Sequence, residues 1–260
     1  MSDGTVRLKI EGALACILID RPQAQNALTR AMLGELTQLL EDCSARESLR
    51  LVVIRGAGDL AFSAGYNLEE LPSGELTAAQ ARALHEPVRR AAQAIVECRH
   101  PVLAAAQKFV IGAALDLYCH CDLRLCEQGT KFSMPPNRYG FLYPSEGMRQ
   151  MAQVATTSLT HEMLYTGQSI SAQRALAHGL VNRVVDTEQF DQELGELCEA
   201  LQANAPLSMR ATKRALRDLA QTAASDEGAY QSIADCLNSQ DVREALSAFR
   251  EKRRPVFRGI

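Results

Sequence analysis

An α/β fold is predicted by three features of this 260-residue sequence. Short apolar runs of strand length alternate with helical periodicity up to about residue 185; helical periodicity alone continues from there; and no repeat, low-complexity tract or Pro/Gly/Ser linker divides the chain. With 47% hydrophobic and 23% charged residues, the chain can bury a sizeable core as one large domain or as a domain with an appendage.

The elements follow in order. The run Ala13–Ile19 reads as a buried strand stopped by Asp20-Arg21-Pro22. Met32, Leu33, Leu36, Leu39, Leu40 and Cys43 recur at helical spacing behind Thr29, a candidate N-cap. Leu51–Ile54 is a second strand, closed by Gly56-Ala57-Gly58. Ala61 stands where a dinucleotide-binding loop would need its third glycine. Thr77-Ala78-Ala79-Gln80 has the form of a capping box and opens a helix striped by Ala81, Leu84, Val88, Ala91 and Ile95, which Pro87 is expected to kink. Val102–Ala106 is a third strand, Gly112–Leu117 the start of a short buried helix, Leu123–Cys126 a fourth strand and Leu180–Val185 a further one. This cadence implies parallel strands joined by crossovers. From Glu188 onward, Leu194, Leu197, Leu201, Met209, Leu216, Leu219, Val242, Leu246 and Phe249 describe amphipathic helices, whose apolar faces favour an oligomer.

Charge and composition narrow the function. A net charge of −3 and a pI near 6.0 give no basic field for neutralising nucleic-acid phosphates. No stretch approaches the ~18 apolar residues that span a bilayer, and Met1-Ser2-Asp3-Gly4 begins no basic-then-apolar leader, so a cytoplasmic protein is expected. The eight cysteines are scattered through apolar surroundings and read as reduced core thiols. Cys119-His120-Cys121 with Cys126 lacks the second ligand pair that a zinc site uses, so no metal is expected. Neither a G-x-S-x-G elbow nor a phosphate-binding G-x-x-x-x-G-K-[ST] loop occurs.

Four ordered segments resemble the crotonase (enoyl-CoA hydratase/isomerase) family: Asp20-Arg21-Pro22 leading to Gln25-Asn26-Ala27-Leu28; Ala61–Leu68; Val110–Leu117 followed by Cys121-Asp122-Leu123-Arg124; and Ala172–Val185. The resemblance implies a ββα superhelix core over residues 1–190 and a C-terminal helical trimerisation region over 191–260. It further implies an acyl-CoA substrate, with coenzyme A part of the substrate rather than a resident cofactor, and a homotrimer or dimer of trimers. It assigns the N–H groups of Tyr66 and Ala113 to an oxyanion hole for a thioester enolate, each donor worth roughly 3 kcal/mol. Glycine is usual at the second position, and Ala113 keeps the N–H while adding a methyl to the pocket wall. Arg21, Ala24, Gln25, Ala64, Gly65 and Leu68 match the coenzyme A-binding stretches. Lys252 and Phe257 match positions that a neighbouring subunit often offers, although Arg250, Lys252, Arg253 and Arg254 also suit a solvated helix end.

The family's hydratases use two glutamates. Here Asp116 stands at the first position, its carboxylate drawn back by roughly 1.5 Å, and Pro136 at the second, where no proton can be exchanged. Decarboxylation generates an enolate without a base, and the likeness to methylmalonyl-CoA decarboxylases rests on Leu71–Gly74, Phe132-Ser133-Met134, Tyr143 and Ala248–Pro255. In that subgroup a tyrosine at Tyr143 and a histidine at the place of Tyr66 face the substrate. Glu146 lies near a site where other members place an acidic base, and it equally suits a first-turn helix carboxylate. Asp116 can act on substrate or sit hydrogen-bonded behind the site, and Tyr143 can face substrate or be a half-buried aromatic with its hydroxyl satisfied. The five histidines lie outside the matched active-site motifs and are read as structural. The expected function is decarboxylation of a short malonyl-type CoA thioester; the alternatives are a hydratase/isomerase with atypical acid and base residues, or a crotonase-like binding protein without turnover.

Overall fold

Period-two burial organises the main sheet. The computed structural model describes residues 4–58, 60–204, 206–220, 234, 237–253 and 255. Strands β1 (Thr5–Glu11), β2 (Leu14–Asp20), β3 (Leu51–Gly56), β4 (Val102–Ala106), β6 (Leu123–Glu127) and β9 (Arg183–Val185) form one six-stranded sheet in the order β1-β2-β3-β4-β6-β9. β1 pairs antiparallel with β2, and every other pairing is parallel. Ala15, Ile17, Ile19, Val52, Ile54, Val102, Ala104 and Cys126 point into the larger core. Their neighbours Leu51, Val53, Leu103, Ala105 and Leu125 pack on the opposite face. A parallel sheet covered on both faces requires such near-continuous apolar runs.

On the larger-core side lie α1 (Arg30–Ala45), α2 (Ala78–Glu97) and α3 (Ala113–His120). Thr29 caps α1, its Oγ1 accepting the Met32 N–H at 3.1 Å. Thr77 and Gln80 close both arms of the capping box at α2. Pro87, expected to kink α2, sits within a helix that runs unbroken from residue 78 to 97. The other face is covered by α7 (Phe190–Gln202) through Phe190, Leu194 and Cys198. Helices α4 (Ser145–Val154), α5 (Thr157–Thr166) and α6 (Ala172–Ala177) lie in the chain between β6 and β9, and α8 (Pro206–Ala220) and α9 (Gln240–Arg250) follow α7. Among the described residues no helix is long and apolar enough to cross a membrane.

A second sheet, β5 (Phe109–Ile111), β7 (Lys131–Ser133) and β8 (Ile170–Ser171), runs in that order, with β5 and β7 parallel. A single parallel bridge from Ser63 to Val110 extends it by one more segment. The chain therefore winds in repeated turns of long strand, short strand and helix: β4, β5, α3, then β6, β7, α4.

Asn26 locks the entry to the first of these turns. Fully buried with φ +58°, it accepts the Arg21 N–H on Oδ1 at 2.9 Å and donates from Nδ2 to the Ala61 carbonyl at 2.8 Å. Asn26→Ala strips partners from one buried and one part-buried backbone group and is expected to cost about 2 kcal/mol, read as a lower urea midpoint at unchanged slope.

Candidate active site

Two backbone turns face each other across Gly65. In the first, the N–H of Ala64 goes to the Gln25 carbonyl at 3.1 Å, that of Gly65 to Ser63 Oγ at 3.1 Å and that of Asn67 to the Leu28 carbonyl at 2.8 Å. In the second, Ile111 donates to the Ser63 carbonyl at 3.2 Å, Gly112 to the Ser133 carbonyl at 2.9 Å and Asp116 to the Gly112 carbonyl at 3.1 Å. Among the described residues no backbone acceptor takes the N–H of Tyr66 or of Ala113. Gly65 has φ +94°, and a Cβ placed on it would lie 2.6 Å from the Ile111 oxygen and 3.6 Å from the Ala113 nitrogen. Only glycine lets the turns approach this closely. Ala113 opens α3, so the partial positive charge of a helix N-terminus adds to its N–H.

Tyr66 and Ala113 both border a cavity of about 120 Å³ whose lining is mostly apolar. Of the residues singled out in the sequence, Ala64, Gly65, Tyr66, Leu68, Ala113 and Tyr143 meet there, and Pro136 is part of the same wall. Asp116 and Glu146 do not reach it. They line a larger, more open cavity of about 610 Å³, and His85, Val88 and Tyr143 form the partition between the two. Gln25 is tied to the first turn through Ala64, Arg21 precedes the 3₁₀ turn Pro22–Ala24 that leads into it, and Ala24 closes that turn. Lys252 is exposed at the end of α9 and borders neither cavity, and Phe257 lies outside the described residues.

The partition is polar at one point. Tyr143 is buried, and its hydroxyl donates to Asp116 Oδ2 at 2.9 Å. Burial, then the neighbouring Asp116 charge, holds the phenol well above its usual range, so it stays protonated. Behind it, His120 Nδ1 lies 2.8 Å from the Asp116 main-chain oxygen and 3.3 Å from Oδ1. Burial alone would lower the His120 pKa, but hydrogen bonding and charge from Asp116, aided by Glu146, outweigh it and raise the value.

His85 and His120, read in the sequence as structural, thus belong to this wall. His85 presents an edge to Tyr143, with ring centroids 6.3 Å apart at 76°. Burial pushes its pKa down to about 4 against the opposing pull of Asp116, leaving a neutral imidazole. Asp116 and His120 sit four apart on one helix, a spacing that places them on one face and was the available signal. Gly147 is the third residue the sequence reading missed. A Cβ there would fall 2.5 Å from Tyr143 Cε1 and 2.9 Å from both Asp116 carboxylate oxygens.

Residues 9–259 match the family model described as enoyl-CoA hydratase/isomerase. The chain is 31% identical to the methylmalonyl-CoA decarboxylase of Escherichia coli over 242 residues, covering 90% of each. It is 27% identical to the short-chain-enoyl-CoA hydratase of Clostridium acetobutylicum over 256 residues, covering 98% of this chain and 97% of that one. The solved structure of methylmalonyl-CoA decarboxylase complexed with 2S-carboxypropyl CoA superposes at a TM-score of 0.89 with 28% identity, covering 100% of both chains.

Gly147→Ala is expected to push Tyr143 and Asp116 apart and to cost about 1–3 kcal/mol of stability; denaturant unfolding together with near-ultraviolet circular dichroism of the tyrosines checks it. His85 gives a pH test. Its folded pKa lies below the ordinary 6.5, so between that value and about 4 the unfolded chain binds more protons and stability falls as pH falls. In His85→Gln, urea midpoints should lose that part of the acid limb.

Proposed function

The chain belongs to the enoyl-CoA hydratase/isomerase family, and on that premise we propose that it decarboxylates a short malonyl-type CoA thioester. The observation that carries this reading is that Tyr66 and Ala113, whose amides no backbone acceptor takes among the described residues, both line one small cavity. A thioester oxygen seated between them would receive two preorganised donors, and losing one such donor typically costs about 10²–10³-fold in rate. The bond to the departing carboxylate breaks, its electron pair becomes the enolate, and the α-carbon is then protonated. No base is needed to form that enolate. This suits a cavity bordered, among the described residues, by no Asp or Glu.

Tyr143 remains a neutral hydroxyl beside the acyl group, positioned by Asp116. A volume near 120 Å³ supports a short acyl chain. Arg21, Ala24, Gln25, Ala64 and Leu68 then form the coenzyme A arm, completed by Lys252 and Phe257 from the C-terminal segment. The exposed Leu216 and Phe249 of the C-terminal helices support assembly as a homotrimer or dimer of trimers.

A second reading, hydration or isomerisation, draws on Asp116 and Glu146, two carboxyl groups that share the larger cavity on the far side of Tyr143. Mass spectrometry after incubation with malonyl-, methylmalonyl- and crotonyl-CoA separates the readings. Loss of CO₂ from a malonyl-type thioester is the expected result. Gain of one water by crotonyl-CoA selects the second reading, and tight binding of all three without turnover leaves a binding protein. Where CO₂ is lost, Tyr143→Phe should slow the reaction by about 10²-fold with binding unchanged; an unaltered rate removes Tyr143 from the mechanism.

A further inference from the structure

The Asp116 carboxylate stands one hydrogen bond behind the surface of the acyl cavity. A malonyl-type acyl group would bring a second carboxylate to the other side of that bond, and CO₂ loss would then place an enolate there. Unopposed, Asp116 would repel both, because like charges interact strongly where little water intervenes. Its Oδ1 is buried, with His120 Nδ1 3.3 Å away, and the same nitrogen lies 2.8 Å from the Asp116 main-chain oxygen. His120 therefore acts on this carboxylate through hydrogen bonding and charge together.

We infer that His120 is a positioning residue acting through Asp116: its positive charge neutralises the wall behind Tyr143 and so lets the acyl cavity admit a group that carries its own carboxylate. This rests on the malonyl-type reading above. Losing the His120 proton would leave the wall with a net negative charge and penalise charged acyl groups, while uncharged acyl groups would be indifferent.

The surroundings decide where that switch lies. From α2, His85 and Arg89 face the same cavity; from α4, Glu146 and Arg149. Helix α8 contributes Lys213 and Arg217, of which Lys213 is ion-paired with Asp122 at 2.7 Å. His85 titrates at about 4, well below the range in which His120 changes charge, so the two histidines are separable by pH.

The experiment compares two ligands with the same coenzyme A arm: the thioether carboxypropyl-CoA, which bears a carboxylate, and propionyl-CoA, which does not. Affinities are measured by calorimetry on the full chain between about pH 6 and pH 9, and their ratio cancels titration of the shared arm. In the wild type, carboxypropyl-CoA should weaken relative to propionyl-CoA by about tenfold as pH rises. His120→Gln should show that loss already at low pH and a flat profile. His120→Lys, which keeps a cation, should retain the low-pH affinity, and Asp116→Asn in the His120→Gln background should restore it.

Equal weakening of both ligands in His120→Gln, or a pH dependence that survives that substitution, overturns the inference. The wild-type profile decides the matter even if His120→Gln fails to fold, since a ratio independent of pH overturns it as well. Failure of the decarboxylase reading is a separate result: malonyl-type thioesters would remain intact while the charge-selective binding persisted.

Discussion

The structure turns on the missing side chain of Gly65. Its positive φ swings the Ser63–Tyr66 turn against the Ile111–Ala113 turn, to within a distance that any Cβ would close. Register explains what this brings together. Ser63, Val110 and Phe132 lie side by side in successive short strands, and three residues beyond each stand Tyr66, Ala113 and Pro135. The first two have N–H groups that no backbone acceptor takes among the described residues; the third, a proline, has no N–H. A spiral that repeats the same local geometry thus leaves two main-chain N–H groups without backbone partners and then stops, and such groups carry no titration and vary little with sequence.

The partition between the cavities is where side chains take over. Burying Asp116 is costly unless its charge is met, and the fold meets it asymmetrically, with a neutral hydroxyl on the cavity side and an imidazole behind. Gly147 makes the arrangement feasible by leaving room for the Tyr143 ring and both carboxylate oxygens at once. His85, kept neutral by burial, completes the wall without adding charge to it. The electrostatics of a small apolar cavity are therefore governed by three residues on two neighbouring elements, α3 and the loop ahead of α4.

Much of the scaffold was legible in the sequence for physical reasons. The apolar runs at residues 14–19, 51–54, 102–106 and 123–126 are long enough for burial on both faces to show, and Thr29 and Thr77 announce helix starts by capping chemistry that is wholly local. The second sheet was illegible because strands of two or three residues are too short to carry a period. Strand β1 was missed as well: its mostly exposed side chains at the sheet edge leave no apolar run to read. At the site, the motif residues around Tyr66 and Ala113 could be read because their neighbours in sequence are their neighbours in space. His85 could not, since its partner Tyr143 lies in a different element more than fifty residues away.

That division between backbone and side chain bears on how one scaffold serves several reactions. Relatives matching nearly the whole chain carry the names of a hydratase and a decarboxylase. If the oxyanion donors are main-chain groups fixed by register, the reaction can be redirected by changing only what lines the rest of the cavity. On the proposed decarboxylase reading, Pro136 and Asp116 take away the reach of two carboxylates, and Tyr143 supplies a neutral polar group in their place. His120 then decides whether the remaining carboxylate is felt as a charge. On this view the residues that distinguish one acyl group from another are those that set the sign of the field behind Tyr143, while Gly65 and the two amides beside it are indifferent to the choice.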